Sequence, residues 1–140
     1  MKRAIEFLRR NILPSEIPVA AIVVKDGQVI SAACNRKETE NDVTSHAEIL
    51  AIREAAQKLG RWRLEDCEMY VTLEPCPMCA WAILQSRLKT VYFGSYDLKY
   101  GAFGSVIDLR NFSDTKLKVY GGICEKECDE ILKEFFARLR

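Results

Sequence analysis

A chain of 140 residues, 49% hydrophobic and 29% charged, has the make-up of one ordinary globular domain spanning 1–140, with enough apolar material for a core. No run approaches the ~20 apolar residues of a membrane span, and Met1-Lys2-Arg3 followed by Ala4-Ile5-Glu6-Phe7 lacks a signal-peptide pattern, so a cytoplasmic protein with no membrane partner is expected. A net charge of +1 neither demands nor excludes nucleic acid, because a basic face can hide within a neutral total.

In chain order, Ile5, Leu8 and Ile12 fall at helical spacing among Arg and Lys, predicting a short amphipathic helix over 2–11 that stops before Pro14. Val19 to Val24 is a continuous apolar run, as expected of a strand buried on both faces. Asp26-Gly27 is a hairpin turn signal, and Gln28 to Cys34 returns antiparallel. Residues 35–44 are polar and aperiodic, hence a loop. Thr44 or Ser45 is expected to cap a helix that runs to Leu59, with Ile49, Ile52, Ala55, Ala56 and Leu59 on its stripe and Gly60 as terminator. Met69 to Leu73 reads as a strand. Pro75 suits the first turn of a helix from Cys76 to about Ser86. A strand over 90–93 precedes a long loop over 94–105, then a strand over 116–120 and a helix over 124–139 with Ile131, Leu132, Phe135, Phe136 and Leu139 inward. This order is α/β, and fits a mixed sheet with helices on both faces.

The chemistry concentrates in two stretches, His46-Ala47-Glu48 and Pro75-Cys76-Pro77-Met78-Cys79. His46 is the only histidine. With Cys76 and Cys79 it supplies three of the four positions of a tetrahedral zinc, leaving the fourth for water, which marks a catalytic centre rather than a closed structural one. Zinc in such a site lowers the pKa of bound water to about 7. Glu48 is then placed to move protons between water and substrate. Each piece has a plainer reading: a core histidine, a redox or structural Cys-x-x-Cys, and a Glu48 that completes a capping box opened by Ser45. Cys124 and Cys128, at i, i+4, are a weaker candidate for a second metal site; with Cys34 and Cys67 they are expected to be reduced and mostly buried.

The spacing H-x-E…P-C-x-x-C is the known signature of zinc deaminases, among them adenosine deaminases that act on tRNA. The chain resembles the bacterial tRNA-specific adenosine deaminases, of the cytidine and deoxycytidylate deaminase superfamily, over residues 5–138. The resemblance rests on Glu16-Ile17-Pro18-Val19, Asn35, His46-Ala47-Glu48-Ile49, Tyr70 to Ala80, Phe93-Gly94, the run Asp97 to Ser105, and Glu127-Cys128 with Phe135-Phe136. It implies a cytidine-deaminase-like three-layer fold with a mixed five-stranded sheet, one zinc per chain, and hydrolytic deamination of adenosine to inosine at the wobble position of an anticodon stem-loop. It implies a homodimer, and substrate contacts from Asn35, the backbone of Ala47 and the side chain of Asp97. Without it, Asn35 reads as a turn residue and Asp97 as a solvated loop acid. Ala20 and Trp81 stand where the family usually has glycine or another small residue, which bears on pocket shape, dimer packing or the RNA groove. Two other functions remain: a deaminase of free guanine or cytosine with the same centre, and a non-catalytic zinc-stabilised binding module.

Overall fold

The computed structural model describes residues 1–139; Arg140, the last residue of the expected domain, lies outside them. The elements are α1 (Lys2–Asn11), β1 (Ala20–Lys25), β2 (Gln28–Cys34), α2 (Ala47–Leu59), β3 (Cys67–Leu73), α3 (Pro77–Gln85), β4 (Thr90–Ser95), a single 3-10 turn (Leu109–Phe112), β5 (Lys118–Tyr120) and α4 (Glu125–Arg138). The strands form one sheet in the order β2-β1-β3-β4-β5. β1 is antiparallel to both β2 and β3, whereas β3, β4 and β5 are parallel, so the expected mixed five-stranded sheet is present.

The hairpin forms because Asp26 and Gly27 both take positive φ, 50° and 76°, the backbone that a tight two-residue turn between twisted strands requires. β1 is central and apolar on both faces. Ala21 and Val23, with Val19 just before the strand, pack with Ala47, Ala51 and Ala55 of α2 and with Ile83 and Leu84 of α3. On the opposite face, Ala20 packs with Ile5 and Leu8 of α1 and Cys128 and Ile131 of α4. Two helices per face give three layers. The sheet and α4 approach closely at Gly94, where a β-carbon would lie 2.7 Å from the Thr72 carbonyl oxygen and collide with the Cys128 side chain. Among the described residues no helix is long and apolar enough to cross a membrane.

Several details differ from expectation, β4 among them, which runs on to Ser95 in parallel register with Leu73 of β3. β3 begins at Cys67 because Lys25↔Cys67 and Val24↔Glu68 extend its ladder with β1, although charged Glu68 interrupts the apolar pattern. β5 is confined to three residues, since it is an edge strand that pairs only with β4. The 3-10 turn over Leu109–Phe112, begun by the Asp108 side chain accepting from the Arg110 N–H, had no periodic signal. Finally, the proline in the first helical position of α3 is Pro77, not Pro75.

The topology fixes where a site can be. β2, β3 and β4 run in the same direction, and their carboxyl ends lead into Asn35, into Glu74-Pro75-Cys76 and into Tyr96-Asp97. Ligands in open α/β sheets bind at this end, where the helices that follow the strands begin.

Candidate active site

α2 and α3 both start at this edge, and neither has a side-chain cap. The N-cap positions, where Ser, Thr, Asp or Asn would usually accept a helix N–H, are held by His46 and Cys76. The expected cap at Thr44 or Ser45 is therefore corrected. Ser45 instead donates its hydroxyl to Glu40 at 2.8 Å. Forgoing two caps costs about 1 kcal/mol each, and it frees both side chains to meet across the gap between the helices.

His46 Nδ1 lies 3.7 Å from Cys76 Sγ and 3.4 Å from Cys79 Sγ. All three donor atoms fall within 4.8 Å of one another, a group that could hold a metal ion. The positive ends of two helix dipoles point at it, favouring thiolate. A hydrogen bond from Cys79, joined by His46, holds the Cys76 thiol down to about 4 against the opposing effect of burial. The hydrogen bond to Cys76, with burial and Glu48 adding to it, pushes Cys79 up. The partnership with Cys76 raises His46.

Glu48 is the second residue of α2, so it does not occupy the capping-box position, and it is only 4% exposed. Burial pushes its carboxyl up to about 7; its own main-chain N–H, His46 and Cys79 oppose the rise, and Cys76 adds to it. A buried acid that protonates near neutrality beside a cluster of donor atoms is suited to proton transfer.

These groups face a cavity of about 220 Å³, a space of the size of one heterocyclic base rather than of a drug-sized ligand, for which about 300–1,000 Å³ is usual. Ile17, Val19 and Leu73 form its apolar wall; Asn35, Lys37, Ala47, Glu74, Asp97 and Tyr100 supply the rest with His46, Glu48 and Cys76. All three expected substrate contacts thus line it. Asn35 keeps part of its turn role, donating Nδ2 to the Ile17 carbonyl at 3.3 Å and accepting from the Lys37 N–H at 3.3 Å. Asp97 accepts from the main-chain N–H groups of Lys99 and Tyr100, both at 3.0 Å, with one carboxylate oxygen. Ala47 is fully buried and lines the cavity.

Trp81 and Ala20 are not among the cavity-lining residues. Trp81 is 39% exposed on α3, and Ala20 is buried beneath α1 and α4, its N–H donated to Thr72 Oγ1 at 3.1 Å. All six cysteines are free, and among the described residues no group of metal-binding geometry forms around Cys124 and Cys128. Sequence reasoning gave no role to Lys37, Glu74 or Tyr100. An acid between a strand's apolar end and a Pro-Cys pair was the one available sign for Glu74; nothing local marked the other two.

The MafB19-like deaminase model matches residues 1–140. The tRNA-specific adenosine deaminase of Bacillus subtilis is 42% identical over 142 residues, covering all of this chain and 88% of the relative, and that of Aquifex aeolicus is 42% identical over 141 residues, covering all of this chain and 93% of the relative. A solved chain from work on A-to-I editing by tRNA:A34 deaminases at the wobble position superimposes with a TM-score of 0.85 at 43% identity, covering 94% of this chain and 97% of the other. With the sheet order, the two uncapped helix starts and the His/Cys/Cys group in accord, the chain belongs to the MafB19-like deaminase family of the cytidine-deaminase-like superfamily, among the tRNA-specific adenosine deaminases.

Proposed function

We propose that this chain, as a single domain over residues 1–140, hydrolytically deaminates adenosine to inosine at the wobble position of a tRNA anticodon. One zinc ion would be held by His46, Cys76 and Cys79. Bonds of about 2.0 Å to nitrogen and 2.3 Å to sulfur in a tetrahedron set N and S about 3.5 Å apart, and the observed 3.7 and 3.4 Å bracket that value. When bound, the ion supplies a Lewis acid that brings the pKa of a coordinated water to about 7.

The single observation that carries the reading is the Glu48 carboxyl, buried in a base-sized cavity beside the His46, Cys76 and Cys79 donor cluster. Glu48 accepts a proton from the attacking water and delivers it to the ring nitrogen next to C6. With the C6–O bond formed, Glu48 takes the second proton from the new C6 hydroxyl and passes it to the amino group, so that the C6–N bond breaks, ammonia leaves and the oxygen remains as the C6 carbonyl. Asn35 and the backbone of Ala47 hold the edge of the base, Asp97 bounds it on the loop side, and Lys37 at the cavity offers a cation to the flanking phosphate. The names of the relatives support an RNA substrate. A homodimer is supported by the exposed apolar side chains Trp81 on α3 and Phe112 on the adjoining 3-10 turn, with Val106 and Ile107 nearby in sequence. The reaction would take place in the cytoplasm.

The test is kcat/KM of the zinc-loaded protein on an anticodon stem-loop with adenosine at the wobble position, beside free adenosine, guanine and cytosine. The stem-loop should be preferred by at least about 10²-fold, because remote contacts orient the reacting base. Equal or greater efficiency on free guanine or cytosine would overturn the proposal in favour of a nucleobase deaminase.

A further inference from the structure

The loop from Asp97 to Ser105 forms one side of the cavity, yet no strand or helix holds it. Beside one main-chain bond, from the Ala102 N–H to the Pro75 carbonyl at 2.9 Å, its anchor is a side chain from below. Glu74, 2% exposed at the end of β3, receives the main-chain N–H of Asp97 on Oε1 at 3.1 Å, those of Phe103 and Ser105 on Oε2 at 3.1 Å each, and the Ser105 hydroxyl on Oε1. Four donors spread over nine residues converge on one carboxylate. The space for it is made by Gly101, where a β-carbon would stand 2.5 Å from Glu74 Oε1. The order passes onward: Glu74 fixes the Asp97 amide, and the Asp97 carboxylate fixes the Tyr100 amide at 3.0 Å. Asp97 and Tyr100 both line the cavity.

We propose that Glu74 is a positioning residue for the reaction: acting through Asp97 and Tyr100, it sets the loop wall against which the nucleotide binds. The proposal rests on the reading of this cavity as the base site.

Its chemistry makes glutamine a selective probe. An amide must turn its NH₂ toward one of the two sets of donors. On the Oε2 side it would meet two main-chain N–H groups, neither of which can accept. On the Oε1 side it would meet one N–H and a hydroxyl, and the hydroxyl can rotate to accept. Glu74→Gln therefore keeps the Phe103 and Ser105 amides bonded and releases that of Asp97.

The experiment uses full-length, zinc-loaded protein. In Glu74→Gln, amide hydrogen exchange at Asp97 should accelerate at least about tenfold with Phe103 and Ser105 nearly unchanged, as expected of a local rather than global opening. KM for the stem-loop should rise by about 10- to 100-fold, the scale of a misplaced positioning group, with kcat and zinc content held. In an Asp97→Ala background the same substitution should add little, since residues acting through one another are not additive. Gly101→Ala, whose β-carbon would crowd both the carboxylate and the Asp97 carbonyl oxygen, should raise KM as well. Unchanged exchange at Asp97, a fall in kcat at constant KM, or full additivity with Asp97→Ala would overturn the proposal. Should the wild type act only on a free base, the RNA reading falls, while KM for that base and the exchange data still decide the role of Glu74.

Discussion

Replacing Glu48 with glutamine separates the two jobs a buried glutamate at a helix start can have. A capping role is already removed by geometry, because His46 is the N-cap and Ser45 bonds Glu40. What remains is a buried acid whose carboxyl is raised from 4.5 to about 7. In metal-free protein this carboxylate destabilises the fold. The penalty is absent below the unfolded value, grows as pH rises toward 7 and levels off above it; at about 1.4 kcal/mol per unit it reaches about 3.5 kcal/mol. Glutamine removes it. Chelator-treated Glu48→Gln should therefore melt above wild type at pH 8, by up to about 10 °C for a chain of this length, and level with it at pH 4. In zinc-loaded protein the charge of the ion offsets the penalty and the two should melt together. Turnover of the stem-loop should nevertheless fall at least about 10²-fold, the lower end for losing a general acid/base, with stem-loop affinity retained. Thermal melts at the two pH values and single-turnover rates measure both effects. A variant that deaminates at the wild-type rate would refute the assignment of proton transfer to Glu48.

Other perturbations test the remaining parts. Elemental analysis should find one zinc per chain and none in His46→Ala, since the described residues contain no second cluster of metal-binding geometry. Gly94→Ala should cost about 1–3 kcal/mol by overpacking β4 against α4, and Cys128→Ala should recover part of that loss because Cys128 is one of the two groups the new β-carbon meets. Glu16, fully buried, accepts the N–H groups of Glu38 and Thr39 at 3.1 and 2.6 Å; burial raises its carboxyl, but the bonds from Thr39 and Glu38 and the nearby Arg36 outweigh burial and leave it below the ordinary value of 4.5. Its contribution is therefore complete above that value and is lost as pH falls through the lower folded one, so the melting difference between wild type and Glu16→Gln should shrink on acidification from neutral pH.

Much of this fold was legible in the residues because its signals are local. The all-apolar run at β1 has both faces covered, Asp26-Gly27 turns the hairpin, and Gly60 ends α2 with a φ of 68°. The metal cluster was legible because a single histidine leaves no choice of partner for the Cys-x-x-Cys. The cap of α2 was misplaced for a physical reason. Ser45 has the chemistry of a cap and His46 does not, but His46 takes the cap position and forgoes the cap bond to reach the cysteines. The work of Glu74 and Glu16 was hidden for another. Each bonds main-chain N–H groups more than 20 residues away, and every residue but proline carries that donor, so nothing in the sequence marks the partner. Asn35 and Asp97 were placed at the cavity by resemblance alone; their local hydrogen bonds are those of ordinary turn residues.

The most direct test of the central claim is a site-resolved single-turnover assay on an anticodon stem-loop that carries adenosine both at the wobble position and elsewhere in the loop, with zinc-loaded protein in excess. Product mapping should find inosine at the wobble position alone, formed with release of ammonia, slowed as salt is raised because phosphate contacts are screened, and formed at least about 10²-fold more slowly with Glu48→Gln. Inosine scattered over every loop adenosine, or an inert stem-loop beside rapid turnover of free guanine or cytosine, would contradict it.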